Sequence, residues 1–275
     1  DAEMMIVAMD FLKKVGFTDY LLRINDLMII RTYLNEKKLN IETQGKIIGI
    51  IDNITSHIRK TEIGAEDELS VDDWIMEYRN QMTELTIASE IIQDLEGLLE
   101  LVGNPQEILQ QLKTTFDSYP KTQETIENSK LIPVCKLLDA AKIQNYTIDC
   151  GIARGLDYYT DIVFEIDVPA LGKQKQICGG GRYNNLINLF GGEETPACGF
   201  SFGFERIIIA LEEMEKIQSL STRADVFIGI KGETLDYGLQ IAQELRNSNF
   251  RVEIDLMDRS FRSAAKLVNR LEIPF

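Results

Sequence analysis

Residues 154–168 read RGLDYYTDIVFEIDV, and the way this string is parsed decides the fold. Its second half, Asp161 to Val168, is dense in branched apolar residues and reads as a strand. Downstream lie a glycine cluster at 179–181, a glycine pair at 191 and 192, and a further strand through Cys198 to Phe202. Upstream, Tyr146 to Ala153 has the same character. Strands punctuated in this way predict antiparallel hairpins.

Further toward the N-terminus, YLLRINDLMII at 20–30 predicts another strand, followed by a helix-like stretch from Ile29 to Lys38. The chain opens inside a helical pattern, with Met5, Ala8, Met9, Leu12 and Val15 on one face and Gly16 closing it. From about 41 to 128 the character changes. Ile47, Ile50, Ile51, Ile54 and Ile58 recur at helical spacing, as do Ile91, Ile92, Leu95, Leu98, Leu99 and Val102, so this block reads as a helical insertion. Asn104-Pro105, Tyr119-Pro120 and Ile132-Pro133 punctuate the helical sequence; the acidic run Glu62 to Asp73 reads as a solvated face and Trp74 as core.

On the other side, a helix from about Phe204 to Lys216 leads into a polar link, Gln218 to Arg223. Strand 224–230, helix 234–246, strand 251–256 and helix 260–270 then predict a second domain with a parallel sheet. Ile273-Pro274-Phe275 reads as the opening of a buried strand, so the chain is expected to be an interior window of a longer protein.

Composition narrows the function classes. With 44% apolar residues in 275, the chain fills one large domain or two ordinary ones and is not globally disordered. A net charge of −15 repels polyanions, so nucleic acid requires a local basic patch. Arg251, Arg259, Arg262, Lys266 and Arg270 are the candidates for one, or form an ordinary solvated helix face. No apolar run nears the roughly 20 residues of a membrane span, and the expectation is a cytoplasmic protein without membrane contact. Cys135, Cys150, Cys178 and Cys198 form no CxxC pair and read as reduced packing thiols rather than metal ligands. The single histidine, His57, leaves little room for triad or His-metal chemistry and reads as a polar residue on an amphipathic helix.

Three clusters carry residues suited to chemistry. In the first, Arg154 with Tyr158 and Tyr159 sets a fixed guanidinium fork beside phenol rings, fit to grip a phosphate or carboxylate; the plainer reading is a surface arginine next to half-buried strand tyrosines. In the second, Gly179-Gly180-Gly181 before Arg182-Tyr183 lets backbone approach a ligand, or simply lets the chain turn, which is the commoner use. In the third, Thr195 to Arg206 runs a small-residue strand into a helix with Arg206 in its first turn, able to hold an anion and stack on a purine, or else core packing with one surface ion pair. Neither GxxxxGK[ST] nor GxGxxG is present.

In this order, RGLDYYT (154–160) with VFE (163–165), QKQICGGGRYNNLI (174–187), GGEETPACGFSFGFERI (191–207) and RVEIDLMDRS (251–260) resemble the histidyl-tRNA synthetases, a family of class II aminoacyl-tRNA synthetases. LGKQKQICGGGRY at 171–183 is similar to the wording of the archaeal and eukaryotic branch. The resemblance covers Asp1 to about Leu34 and Tyr146 to Phe275. It implies an α+β fold, the class II antiparallel sheet with flanking helices. Catalytic-core sequence is implied at 1–40 and 129–217, the latter with the histidine-binding motif and motif 3; a helical insertion domain at 41–128; and a C-terminally incomplete α/β anticodon-binding domain at 224–275.

Position by position, the resemblance implies that Arg154 is the catalytic arginine, contacting the α-phosphate of ATP while the histidine carboxylate attacks it. Leu156, Tyr158, Tyr159 and Tyr183 match residues around the histidine side chain. Gly203 and Arg206 match the ATP site, Arg206 as the motif 3 arginine that packs against adenine. Implied with them are ATP and Mg2+ as cofactors, L-histidine and tRNA(His) as partners, a homodimer, and no metal site built by the protein alone. Such a reaction needs an aligned carboxylate and fixed positive charge rather than a general base, so one histidine suffices.

The family's motif 1, motif 2 and imidazole-contacting glutamine and glutamate precede the position aligned with Asp1, so these 275 residues are expected to be inactive alone. Catalytically silent relatives form the alternative: the regulatory subunit of ATP phosphoribosyltransferase, or the synthetase-like, tRNA-sensing domain of a stress kinase. Retention of Arg154 and Arg206, and the β/α pattern at 224–275, argue against the regulatory subunit; the intact catalytic wording at 154–160 argues against the tRNA-sensing domain.

Overall fold

The computed structural model describes residues 1–62, 69–153, 158–216 and 224–275. Helix α1 (Ala2–Val15) buries Met5, Ala8, Met9 and Leu12 and ends at Gly16, as its periodicity predicts. Strand β1 (Leu21–Asp26) stops earlier than its apolar run implies. The Asp26 carboxylate accepts the Met28 N–H and caps α2 (Leu27–Glu36), so the helix claims Leu27 to Ile30. Next come α3 (Ile41–Glu62), α4 (Val71–Glu84), opened by a Ser70/Asp73 capping box, and α5 (Ser89–Leu99).

Val102 is not the last turn of α5. It lies in β2 (Val102–Gly103), whose pairing with a sheet edge outweighs the local helical spacing, and Asn104 then caps α6 (Pro105–Thr115) by accepting the Gln106 N–H. Pro120 likewise starts α7 (Pro120–Glu127), and Pro133 sits in the first turn of α8 (Leu131–Ala140), where its missing N–H is harmless. Strands β3 (Tyr146–Asp149), β4 (Ile162–Asp167), β5 (Gln176–Arg182) and β6 (Cys198–Phe202) complete the sheet, with the short α9 (Leu186–Leu189) before β6 and α10 (Phe204–Glu213) after it.

The strand order is β2-β3-β1-β4-β5-β6, antiparallel except for β1 beside β3. Register separates the faces. Leu22, Ile24, Phe164, Ile166, Cys178 and Phe202 point to one side, where Phe11 of α1 meets Phe202 with ring centroids 4.7 Å apart. Arg23, Glu165, Gly179, Ser201, Gly181 and Gly199 point to the other. The second face therefore has charge at its centre and almost no side chains over β5 and β6.

The chain divides into two compact units, 1–217 and 218–275. Within the second, β7 (Val226–Gly229) and β8 (Val252–Asp255) pair in parallel, connected by α11 (Leu235–Asn247) and followed by α12 (Phe261–Leu271). Ile273 is buried, and the Phe227 N–H donates to the Phe275 carbonyl at 2.7 Å. All four cysteines are free thiols; burial pushes Cys135 up to about 11 and raises Cys150 as well. Among the described residues no helix is long and apolar enough to cross a membrane.

Candidate active site

Three of the tyrosines singled out in the sequence come together at one end of β5. Ring centroids lie 4.6 Å apart for Tyr158 and Tyr159, 5.7 Å for Tyr158 and Tyr183, and 6.1 Å for Tyr159 and Tyr183. Backbone bonds hold them in place: the Thr160 N–H donates to Arg182 O and the Tyr183 N–H to Ala197 O, both at 2.8 Å. The glycine cluster does not turn the chain. It runs mid-strand, and at Gly181 a Cβ would stand 2.6 Å from Ile162 O and 2.8 Å from the Tyr159 ring, so the bare backbone is what lets the ring lie on the sheet. Gly181→Ala is accordingly expected to displace Tyr159 and to destabilise the first unit by about 1–3 kcal/mol, checked by thermal melting.

Arg206 stands toward the other end of β5. It lies in the first turn of α10, whose N-cap is Gly203, and its Nη1 donates to Gln176 O at 2.5 Å. Two cavities, of about 310 Å³ and about 260 Å³, share Arg206 and Gln176 in their walls. The smaller runs over Gly179 and Ser201; the larger reaches Arg23, Arg59, Lys175 and Glu165. From Gln176 to Gly181 is five residues, about 17 Å at ~3.3 Å per residue. Between the arginine and the tyrosines lies the strip formed by the pairs Gly179↔Ser201 and Gly181↔Gly199.

A buried ion network at the centre of the same face had no counterpart among the sequence candidates. Arg23 pairs with Asp149 at 3.0 Å, Glu165 at 2.6 Å and Asp167 at 3.0 Å, and Arg59 reaches Asp149 at 3.1 Å. Burial works against the Arg23 charge, but Glu165, Asp167 and Asp149 more than offset it and raise its proton affinity above the ordinary guanidinium range. Burial likewise opposes ionisation of Asp149, and Arg59 and Arg23 overcome it, holding the carboxyl below its usual range. One signal was available in the sequence: Arg23 stands between Leu22 and Ile24, and Glu165 between Phe164 and Ile166, charged residues of opposite sign flanked by apolar ones.

Arg154 and Leu156 lie outside the described residues. His57 stacks on Trp74 with centroids 4.0 Å apart, and Trp74 packs against the core as expected. Of the basic residues near the C-terminus, Arg251 pairs with Asp225 and Arg259 with Asp255. Arg262, Lys266 and Arg270 recur every four residues and form an exposed stripe along α12. No group of three or more His, Cys, Asp or Glu that could hold a metal ion occurs among the described residues.

Comparison with known proteins shows the family. The family model described as histidyl-tRNA synthetase matches residues 1–207. Histidine–tRNA ligase of Methanococcus aeolicus is 33% identical over 276 residues, covering 99% of this chain and 59% of its own length. That of Methanocaldococcus jannaschii is 34% identical over 275 residues, covering 98% and 57%. The chain thus spans under three-fifths of the length of these two relatives. A crystal structure of histidyl-tRNA synthetase from Nostoc sp. shares the fold, with a TM-score of 0.63 at 23% identity over 99% of this chain and 61% of that one. An ATP phosphoribosyltransferase regulatory subunit/histidyl-tRNA synthetase from Bacillus halodurans also shares it, with a TM-score of 0.58 at 17% identity, covering 98% and 62%. By the family match over three-quarters of its length and the relatives above 30% identity, this chain belongs to the histidyl-tRNA synthetase family.

Proposed function

We propose that the protein expressed from the complete reading frame is a histidine–tRNA ligase, which activates histidine with ATP and transfers it to tRNA(His). The observation that carries this reading is the bare strip of β5 and β6, with phenol rings at one end and Arg206 at the other on a single sheet face. Its length suits an amino acid joined to a nucleotide. In this reading Arg206 packs on the adenine above Gly203, Tyr158, Tyr159 and Tyr183 with Leu156 surround the histidine side chain, and Arg154 faces the α-phosphate between them. Arg154 supplies fixed positive charge where the phosphoryl oxygens gain it, and the tyrosines fix the histidine side chain so that its carboxylate can align, which together lower the barrier without a general base.

The lining residues fit ATP: Arg206 stands in the walls of both cavities and Lys175 in that of the larger, and the glycine floor leaves room for a base. Mg2+ fits only in company with the phosphates. Glu165 and Asp167 are engaged by Arg23, Gln176 and Lys175, and a small hard cation dehydrates reluctantly, so it would be held chiefly through the phosphates. When bound, it neutralises charge on the leaving pyrophosphate.

For tRNA, the stripe Arg262, Lys266 and Arg270 offers the local positive surface that a chain of net charge −15 requires. The same reading makes the protein a cytoplasmic homodimer; its free thiols suit the compartment. Histidine-dependent ATP–pyrophosphate exchange and charging of tRNA(His) by the complete protein test the proposal. Exchange that depends on histidine, with charging, is the expected result; tRNA binding without either reaction would identify a silent relative and overturn it.

A further inference from the structure

We propose that Asp52, on α3 of the helical block, is a positioning residue for the segment that leads into Arg154; the proposal rests on the role given to Arg154 above. Strand β3 ends at Asp149, and residues 150–153 then leave the ladder, yet all four are buried. Their amides need acceptors away from the sheet. The Cys150 N–H donates to Leu101 O at 3.0 Å, Gly151 to Asp149 Oδ1 at 3.1 Å, Ile152 to Asp149 O at 3.3 Å, and Ala153 to Asp52 Oδ1 at 2.9 Å. From the other side, Asn25 Nδ2 donates to Cys150 O at 3.1 Å and Ile152 O at 2.8 Å.

Three residues of α3 read this segment from one helix face. Asp52 holds Ala153, Thr55 lies against Gly151, where a Cβ would come within 2.3 Å of it, and Arg59 pairs with Asp149. Positions 52, 55 and 59 are one and two turns apart. The helix therefore follows the chain from the end of β3 to the residue before Arg154. Asp52 is the last of these contacts, half-buried on the wall of the larger cavity. Because a shift of about 1 Å in a reacting group costs up to ~10²-fold in rate, the hold of Asp52 on the neck of this segment is enough to tune it.

The test compares Asp52→Ala with Asp52→Asn, which keeps the accepting oxygen, in the complete protein. Asp52→Ala is expected to lower kcat for histidine-dependent exchange by about 10- to 100-fold, with KM for ATP and histidine changed less than about two-fold. Asp52→Asn should restore most of the rate. Amide hydrogen exchange at Ala153 should speed up by more than about ten-fold in the alanine variant and not in the asparagine one. An alanine variant with wild-type rate, a loss confined to KM, equal losses in both variants, or unchanged protection at Ala153 would each overturn the positioning role. Absence of histidine-dependent exchange in the wild type would instead overturn the functional reading beneath it.

Discussion

Asp149→Asn is expected to destabilise the first unit by about 3–5 kcal/mol, the cost of breaking a buried ion pair from one side, and to lower its melting temperature by about 10 °C. The side chain is fully buried and carries three roles at once: it pairs with Arg23, pairs with Arg59, and accepts the Gly151 N–H. Without its charge, Arg59 keeps the Leu99 carbonyl at 2.8 Å but loses its ion pair with Asp149, while Arg23 retains Glu165 and Asp167. The pH dependence has a definite sign. Asp149 titrates below 3.8 in the folded chain, so its contribution is complete above that value and disappears as pH falls through the folded pKa. Urea unfolding at pH 7 and below pH 3.5 should show the gap between wild type and variant closing in acid. A gap that widened there, or a variant as stable as wild type at pH 7, would contradict the network's role.

Arg206→Ala in the complete protein should reduce kcat/KM for ATP in pyrophosphate exchange by about 10²-fold or more, while the melting temperature stays within ~2 °C. The guanidinium lines both cavities and donates to Gln176 O, with the α10 N-terminus behind it. Arg206→Lys should not restore activity, because an ammonium offers neither a flat face to a purine nor a fork of donors. A lysine variant of near wild-type efficiency would reduce Arg206 to a point charge, and an alanine variant of normal efficiency would remove it from the nucleotide site.

The helix patterns at 2–15, 41–62 and 89–99, the strand at 198–202 and the β/α alternation after 224 were legible because each depends on neighbours within a turn or a pleat. Tyr158, Tyr159, Tyr183 and Arg206 were singled out as candidates by the three strings that carry the family's wording, and the fold brings the three tyrosines together at one end of β5. The ends of elements were less so. Val102 fits the spacing of α5, and nothing local announces that Asp149, 47 positions later, offers it a strand partner.

What the linear chain held was therefore the inventory: which segments bury an apolar face, where glycine and proline interrupt them, and which family's motifs they bear. Folding decided the pairings. Gly181 is a platform rather than a turn because Tyr159 lies over it, and Arg23 is neutralised by groups 126, 142 and 144 residues away. The reason is physical: periodicity records which side of an element avoids water, whereas electrostatic partners are chosen by proximity across a sheet, and that distance exists only once the strands are aligned.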